Sequence, residues 1–395
     1  MAQIVTITNP LTGQPAQVDQ LDHTAQQIDD GLNIARGVSN PNLLDNGYFG
    51  NPVDQRQGRI VKPNTTYYSD NQLTTAAGTT STYVTAYRYT PGTASGVNYA
   101  AFKLEDKDTA PTYYAAPENV VRGYIGTRYG IDRWKISNGG SGTCWMLIED
   151  DGITIGTDTK YGVYFIQAID PSVVKALAGK TVTLSVLAGG KSGAFSGNIY
   201  INGSWNDYWA IKANDVSTKK YTIPANATSM SIQYAESGSG AGTCKLKAVK
   251  LELGTQQTLA HQDENGNWVL NEIPDYGEQL ARCQRELYRD GGSDYTSVGY
   301  GLAESGKTAY FLVKLPVPMR VRPSVTYAGN WTVWDGVTGR AIESISINSV
   351  ATNPKDCSFV NIRVVIADSD LTTGKMYQLC VRSDKSAYIE FSAEL

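Results

Sequence analysis

Apolar and polar residues alternate with a period of two through most of this chain, the pattern of strands with one buried face. In residues 181–187, Val182, Leu184 and Val186 share a face. In 195–201, Phe195, Gly197, Ile199 and Ile201 fall together, with Ser196, Asn198 and Tyr200 opposite. Met230, Ile232 and Tyr234 repeat the pattern, as do Ala309, Phe311, Val313 and Leu315, then Val360, Ile362, Val364 and Ile366, and finally Ala387, Ile389, Phe391 and Ala393. Residues 81–90 set Tyr83, Thr85, Tyr87 and Tyr89 on one face. In 245–253 the apolar positions Leu246, Val249 and Leu251 change phase near Ala248, which predicts a bulge. Many short alternating strands separated by Gly, Asn and Ser turns predict a mainly β chain with a jelly-roll β-sandwich.

Two stretches depart from that period. Val18, Leu21, Ala25, Ile28, Leu32 and Ala35 are spaced 3, 4, 3, 4, 3, a coiled-coil-like seam on a short N-terminal helix. Such a helix is about 27 Å long and marginal by itself in water, so it needs a partner. That partner is either its own β-domain or other copies of the chain. Tyr276, Leu280, Cys283 and Leu287 predict a second short helix ending near Asp290-Gly291-Gly292. These elements divide the chain into an attachment and oligomerisation segment (1–37), a jelly-roll domain (38–262), a linker and helix (263–292) and a C-terminal β-sandwich-like tip domain (293–395).

Residues 42–58, NLLDNGYFGNPVDQRQG, crowd turn-forming residues around Leu43, Leu44, Tyr48 and Phe49. The pattern predicts a sharp bend into a β-domain, with apolar hooks set into its core. This stretch resembles the motif that opens the globular part of many phage and prophage tail-fibre proteins. A second marker downstream, residues 276–285 (YGEQLARCQR), resembles the helix that precedes their tip domains. Residues 177–190, 221–234 and 245–254 are similar in pattern to successive strands of jelly-roll carbohydrate-binding modules.

Composition narrows the function classes. Charged residues are only 18% of the 395, while 39 Gly and 25 Tyr suit an all-β fold. A formal charge of −4 with no basic stripe argues against nucleic-acid binding. No apolar run is long enough for a membrane-spanning helix, and the start lacks the pattern of a secretory signal. Five Cys with no CxxC spacing indicate neither a disulfide framework nor a zinc site, and no metal or cofactor is expected. Cys144 and Cys244 sit in similar Gly-Thr-Cys settings that suit neighbouring strands.

Groups for catalysis are scarce. The two histidines, His23 on the heptad helix and His261 in a loop, suit no nucleophilic triad. Glu149-Asp150-Asp151-Gly152 is the densest carboxylate cluster; it reads as a hairpin turn, with Ca²⁺ ligation or acid/base work as alternatives. Gly190-Lys191-Ser192 and Gly238-Ser239-Gly240-Ala241-Gly242 lack the helix that a phosphate-binding loop requires.

The aromatic clusters carry more chemistry. Sugars present apolar C–H faces and hydroxyl edges, so their sites combine flat rings with amides and carboxylates. Asn202, Trp205, Asp207, Tyr208 and Trp209 form one candidate, placed in a loop; Tyr327, Trp331, Trp334 and Asp335 form another, on a hairpin turning at Asp335-Gly336. Burial of Trp205 or Trp209 in the sandwich core, and of Trp331 beside Val333, is the competing expectation. The resemblance implies a non-enzymatic virion tail fibre: a homotrimer bound through its N-terminus to other tail or baseplate proteins and attaching to bacterial surface glycans. It implies manufacture in the host cytoplasm and release by lysis. A structural spacer and a glycan depolymerase are the alternatives.

Overall fold

The computed structural model describes residues 39–56, 127–137, 144–149, 151–157, 162–238, 240–291, 295–348, 357–382, 384 and 387–394, with the backbone of short strands between 66 and 115. The heptad seam over 18–35, His23 and Asp150 lie outside these residues. The chain is mainly β, and two short helices are described. The short strands are β1 (Thr66–Tyr67), β2 (Leu73–Thr74), β3 (Thr80–Ser81), β4 (Tyr87–Tyr89), β5 (Ala101–Leu104) and β6 (Thr112–Ala115). They pair among themselves, in the order β1-β4-β5-β6 and as the pair β2-β3.

A sandwich of two antiparallel sheets follows. One sheet runs β15 (Val216–Thr222), β12 (Thr181–Ser192), β17 (Gly242–Leu253), β10 (Gly152–Thr157), β9 (Cys144–Glu149). The other runs β14 (Ser204–Ala210), β13 (Phe195–Ile201), β16 (Met230–Glu236), β11 (Tyr164–Ala168), β8 (Trp134–Ser137), β7 (Thr127–Ile131). The chain crosses between sheets from β10 to β13, so each strand buries its alternate apolar residues against the opposite layer. Val182, Leu184, Val186, Ile199, Ile232 and Tyr234 are all fully buried, as their alternation predicts. Helix α1 (Pro171–Leu177) starts at Asp170, whose carboxylate accepts from Ser172 N, and turns Val174 and Leu177 inward. The predicted phase change in β17 is present. Leu187 faces Ala248 but Ala188 faces Leu246, leaving Lys247 as the extra residue.

Residues 42–56 are stitched into this sandwich. Leu44, Phe49 and Val53 are buried, and Phe49 meets Trp134 and Phe165 edge-on at 5.6 and 5.7 Å. Backbone bonds from Leu43 to Leu251, Val249 to Gly47 and Phe49 to Lys247 cover the half of β17 that β10 leaves free. Asn46 takes a left-handed conformation, φ 53°. Its amide donates to Val53 O and Asp132 O and accepts from Val53 N, at 2.8–2.9 Å.

After the small hairpin β18 (Ala260–Gln262) and β19 (Trp268–Leu270), helix α2 (Tyr276–Gln284) starts at Asp275. It ends at Gln284, not near residue 290. Residues beyond it are claimed by strand β20 (Leu287–Gly291), which pairs with β28 (Tyr388–Ser392). The buried face is also displaced, to Gln279 and Cys283, with Tyr276 exposed. The C-terminal strands are β21 (Ser297–Ala303), β22 (Thr308–Lys314), β23 (Ser324–Ala328), β24 (Trp331–Trp334), β25 (Gly339–Ile347), β26 (Phe359–Ile366) and β27 (Met376–Val381). Six of them close into a barrel, β21-β22-β26-β25-β24-β27, while β20-β28-β23 form a separate sheet sharing its core.

Candidate functional site

The stretch expected as a loop around Trp205 is a strand. Asn202 (φ 52°) and Gly203 (φ 76°) make the two-residue turn of a hairpin in which Ile201 pairs with Ser204. Trp205 and Tyr208 are three residues apart, so plain alternation sends them to opposite faces. A register shift prevents this. Tyr200 faces Trp205 and Ile199 faces Asp207, leaving Asn206 as the extra residue. Both rings then lie on the outer face, 55% and 57% exposed and stacked at 6.0 Å with 27° between planes. Asn206 holds the irregularity by accepting from Ile201 N at 2.9 Å.

Next to this pair on the same face, Asn198 pairs in register with Tyr208 and with Gln233 of β16. Asn198 Nδ2 donates to Gln233 Oε1 at 3.1 Å, and Ser196 Oγ donates to Asn198 Oδ1 at 3.2 Å. The outer face thus presents two exposed stacked rings beside the half-buried Asn198 and Tyr200, with the buried Gln233 and Ser196 fixing the Asn198 amide from beneath. Such a surface can stack the apolar face of a pyranose and hydrogen-bond its hydroxyl edge. Asn198 and Gln233 were legible only as the polar half of the alternation.

The other members of the first candidate cluster have different work. Trp209 is core: 6% exposed, edge-on to Tyr234 at 6.1 Å, over Gly197. It faces inward because it pairs with Gly197 on the apolar side of β13. Asn202 pins the loop at 226–229, accepting from Thr228 N and Ser229 N and donating to Asn226 O. Asp207 pairs with Lys219 at 2.8 Å, and the ammonium's hydrogen bond holds its carboxyl below the usual range.

The second cluster is divided. The hairpin at Asp335-Gly336 is present. Asp335 accepts from Val337 N and Thr338 N and pairs with Arg340 and Lys375. Trp331 is 5% exposed beside Val333, its Nε1 donating to Ala328 O. Trp331 and Tyr327 border a cleft of about 450 Å³ that includes neither Trp334 nor Asp335.

The acidic stretch is a hairpin turn in which Gly152 faces Glu149. Asp151 is bound by Lys245 and Lys247 at 2.9 and 3.1 Å, and these bonds lower its pKa. Glu149 pairs with Lys245 and accepts from Thr154 Oγ1. His261 Nδ1 lies 2.5 Å from Asn271 Oδ1 on the exposed hairpin. Cys144 and Cys244 are buried on β9 and β17, separated by β10, and burial pushes the Cys244 thiol up to about 12. Among the described residues no group of three or more His, Cys, Asp or Glu is placed to hold a metal.

The two marker stretches, some 230 residues apart in sequence, meet between sandwich and barrel. Arg282 of α2 donates to Asp45 Oδ1 at 2.8 Å and to the carbonyls of Asn42 and Leu44. Arg133 lies between Asp45 (3.0 Å) and Glu286 (3.6 Å), and Glu286 also pairs with Arg320 at 3.1 Å. Arg56 reaches Glu390 and Glu394 on the last strand and its tail. Asp132, buried and accepting from Gln55 N and Nε2, has its pKa raised to about 7 by burial. Burial also raises Glu286 and Glu394. Nothing in the spacing of these charges announced their meeting.

No protein-family model matches this chain. A search of curated proteins found no match. Among solved structures, a module described as CBM4 is similar at 18% identity and a TM-score of 0.26, covering 31% of this chain and 88% of its own. The xylan-binding module CBM15 is similar at 17% identity and a TM-score of 0.26, covering 34% of this chain and 99% of its own. The enzymatically active domain of tailspike protein 4 of bacteriophage CBA120 is similar at 16% identity and a TM-score of 0.25, covering 31% of this chain and 19% of its own. Likenesses this distant assign neither family nor ligand.

Proposed function

We propose that this protein is a non-enzymatic, glycan-binding appendage of a phage particle, attaching it to a bacterial surface. The observation that carries the sugar-binding reading is the exposed Trp205–Tyr208 pair, set on one face beside the ordered amide of Asn198. Large rings left in water, with a polar group at their side, fit a pyranose better than they fit a core. The phage setting rests on the resemblance of residues 42–58 and 276–285 to tail-fibre markers. In this reading the N-terminal heptad segment gathers the chains into a homotrimer and docks them on other tail or baseplate proteins. Individually weak sugar contacts then gain strength from copies held at fixed spacing.

A structural spacer is the second reading, favoured by the ion-paired union of sandwich and barrel. The experiment is incubation of the full-length protein with intact bacteria and their isolated surface polysaccharide, quantifying bound protein and released sugar. Saturable binding without release, lost in the double variant Trp205→Ala/Tyr208→Ala, is the expected result. Binding to none of the hosts tested favours the spacer, and soluble oligosaccharide favours a depolymerase.

A further inference from the structure

The cleft beside Trp331 lies where β23 meets the barrel strands β24 and β25. Small residues make it: Gly329, Gly339 and Ala341 leave room that side chains would fill. A Cβ on Gly339 would stand 2.6 Å from Arg382 Nη1 and 2.7 Å from Thr332 Oγ1, so the guanidinium lies directly over a bare stretch of backbone. Arg382 is exposed, and among the described residues its guanidinium forms no ion pair or hydrogen bond. The neighbouring carboxylate of Asp384 is turned to Asn330 N at 2.8 Å. Two other arginines of this C-terminal half are held by carboxylates. Arg340 is held by Asp335 and Asp370, and Arg320 by Glu286 and Asp170.

We infer that this cleft binds a carboxylate-bearing sugar residue, such as a uronic acid, with Arg382 anchoring the carboxylate. The inference rests on the glycan-binding reading and names a ligand class at a second site. A guanidinium presents parallel N–H donors that match a carboxylate's two oxygens. Tyr327 and Ile342 offer an apolar wall to the sugar's C–H face, and the amide of Asn330 stands exposed at the rim. At about 450 Å³ the cleft falls within the ~300–1,000 Å³ of ordinary small-molecule sites.

The test is calorimetric titration of the full-length protein with an oligogalacturonate, a neutral oligosaccharide of equal length, a sulfated one, and acetate. Each is measured on the parent, on Arg382→Gln, on Arg382→Lys and on Trp205→Ala/Tyr208→Ala. The expected result is binding of the oligogalacturonate that weakens about tenfold or more in Arg382→Gln, is partly kept in Arg382→Lys and is unchanged in the double variant. A sulfated chain bound as well as the uronate, equal binding of acetate, or an unaltered Arg382→Gln overturns it. Uronate binding lost only in the double variant overturns this site while leaving the sandwich site standing. No binding of any sugar overturns both.

Discussion

At the scale of single residues, neighbouring rings have opposite fates. Trp205 and Tyr208 stand in water, whereas Trp209 fills the space that Gly197 leaves. A Cβ on Gly197 would fall 2.2 Å from the Trp209 ring. Trp209→Ala is therefore expected to cost about 3–5 kcal/mol of stability, and Gly197→Ala about 1–3 kcal/mol, in urea unfolding. Trp205→Ala should change stability by less than about 0.5 kcal/mol, because an exposed ring loses little packing. Equal losses in Trp205→Ala and Trp209→Ala would show that the outward ring is also structural. The Trp209 indole N–H is buried without a partner among the described residues, so packing alone holds that side chain.

At the scale of elements, irregularities place the functional groups. The extra residue Asn206 turns a three-residue spacing into a shared face, and the extra residue Lys247 lets β17 keep its apolar side inward. The turn at Asn46 is the third such device. It combines a positive φ with three hydrogen bonds to Val53 and Asp132. Asn46→Gly relieves the backbone cost but leaves those buried groups without partners. It should still destabilise by about 2–4 kcal/mol, and Asn46→Ala by more, since Ala also dislikes the left-handed region. Near-neutral unfolding midpoints for Asn46→Gly would show that conformation, not bonding, explains the residue.

At the scale of the molecule, the sandwich and the C-terminal sheets are joined by buried charge, and this has a pH consequence. Burial raises the folded-state pKa of Asp132 to about 7, from an ordinary value of 3.8, so the folded protein binds this proton more tightly than the unfolded chain. The group's contribution is fully present below about pH 4 and is lost as pH rises through about 7. Glu286 and Glu394 in the same junction are raised by burial and act in the same direction. Urea unfolding at pH 5 and pH 8 should show the parent losing more stability at the higher pH than Asp132→Asn. A parallel slope in the variant would remove Asp132 as the cause. Opening of the junction at pH 8 should also appear as faster proteolysis between 254 and 286.

Much of this fold was legible in the chain because alternation is a local property. A strand that buries one face must place its apolar residues at every second position, and Val182, Ile199, Ile232, Phe311 and Ile362 do so in sequence as in structure. The Asp-Gly turn at 335–336 and the phase change in β17 were equally local. The helix over 276–284 was visible, but not its end, since pairing of residues 287–291 with the last strand outweighs a continued helical period. Residue type marked 202–209 as a candidate site but did not separate Trp205 from Trp209, because an inserted residue resets which face each ring takes. Nor did type or spacing bring Asp45 to Arg282, Arg133 to Glu286, or Arg382 to Tyr327 and Trp331. Those meetings join residues from about 50 to well over 200 positions apart. Such contacts depend on how whole sheets pack, which no local period encodes.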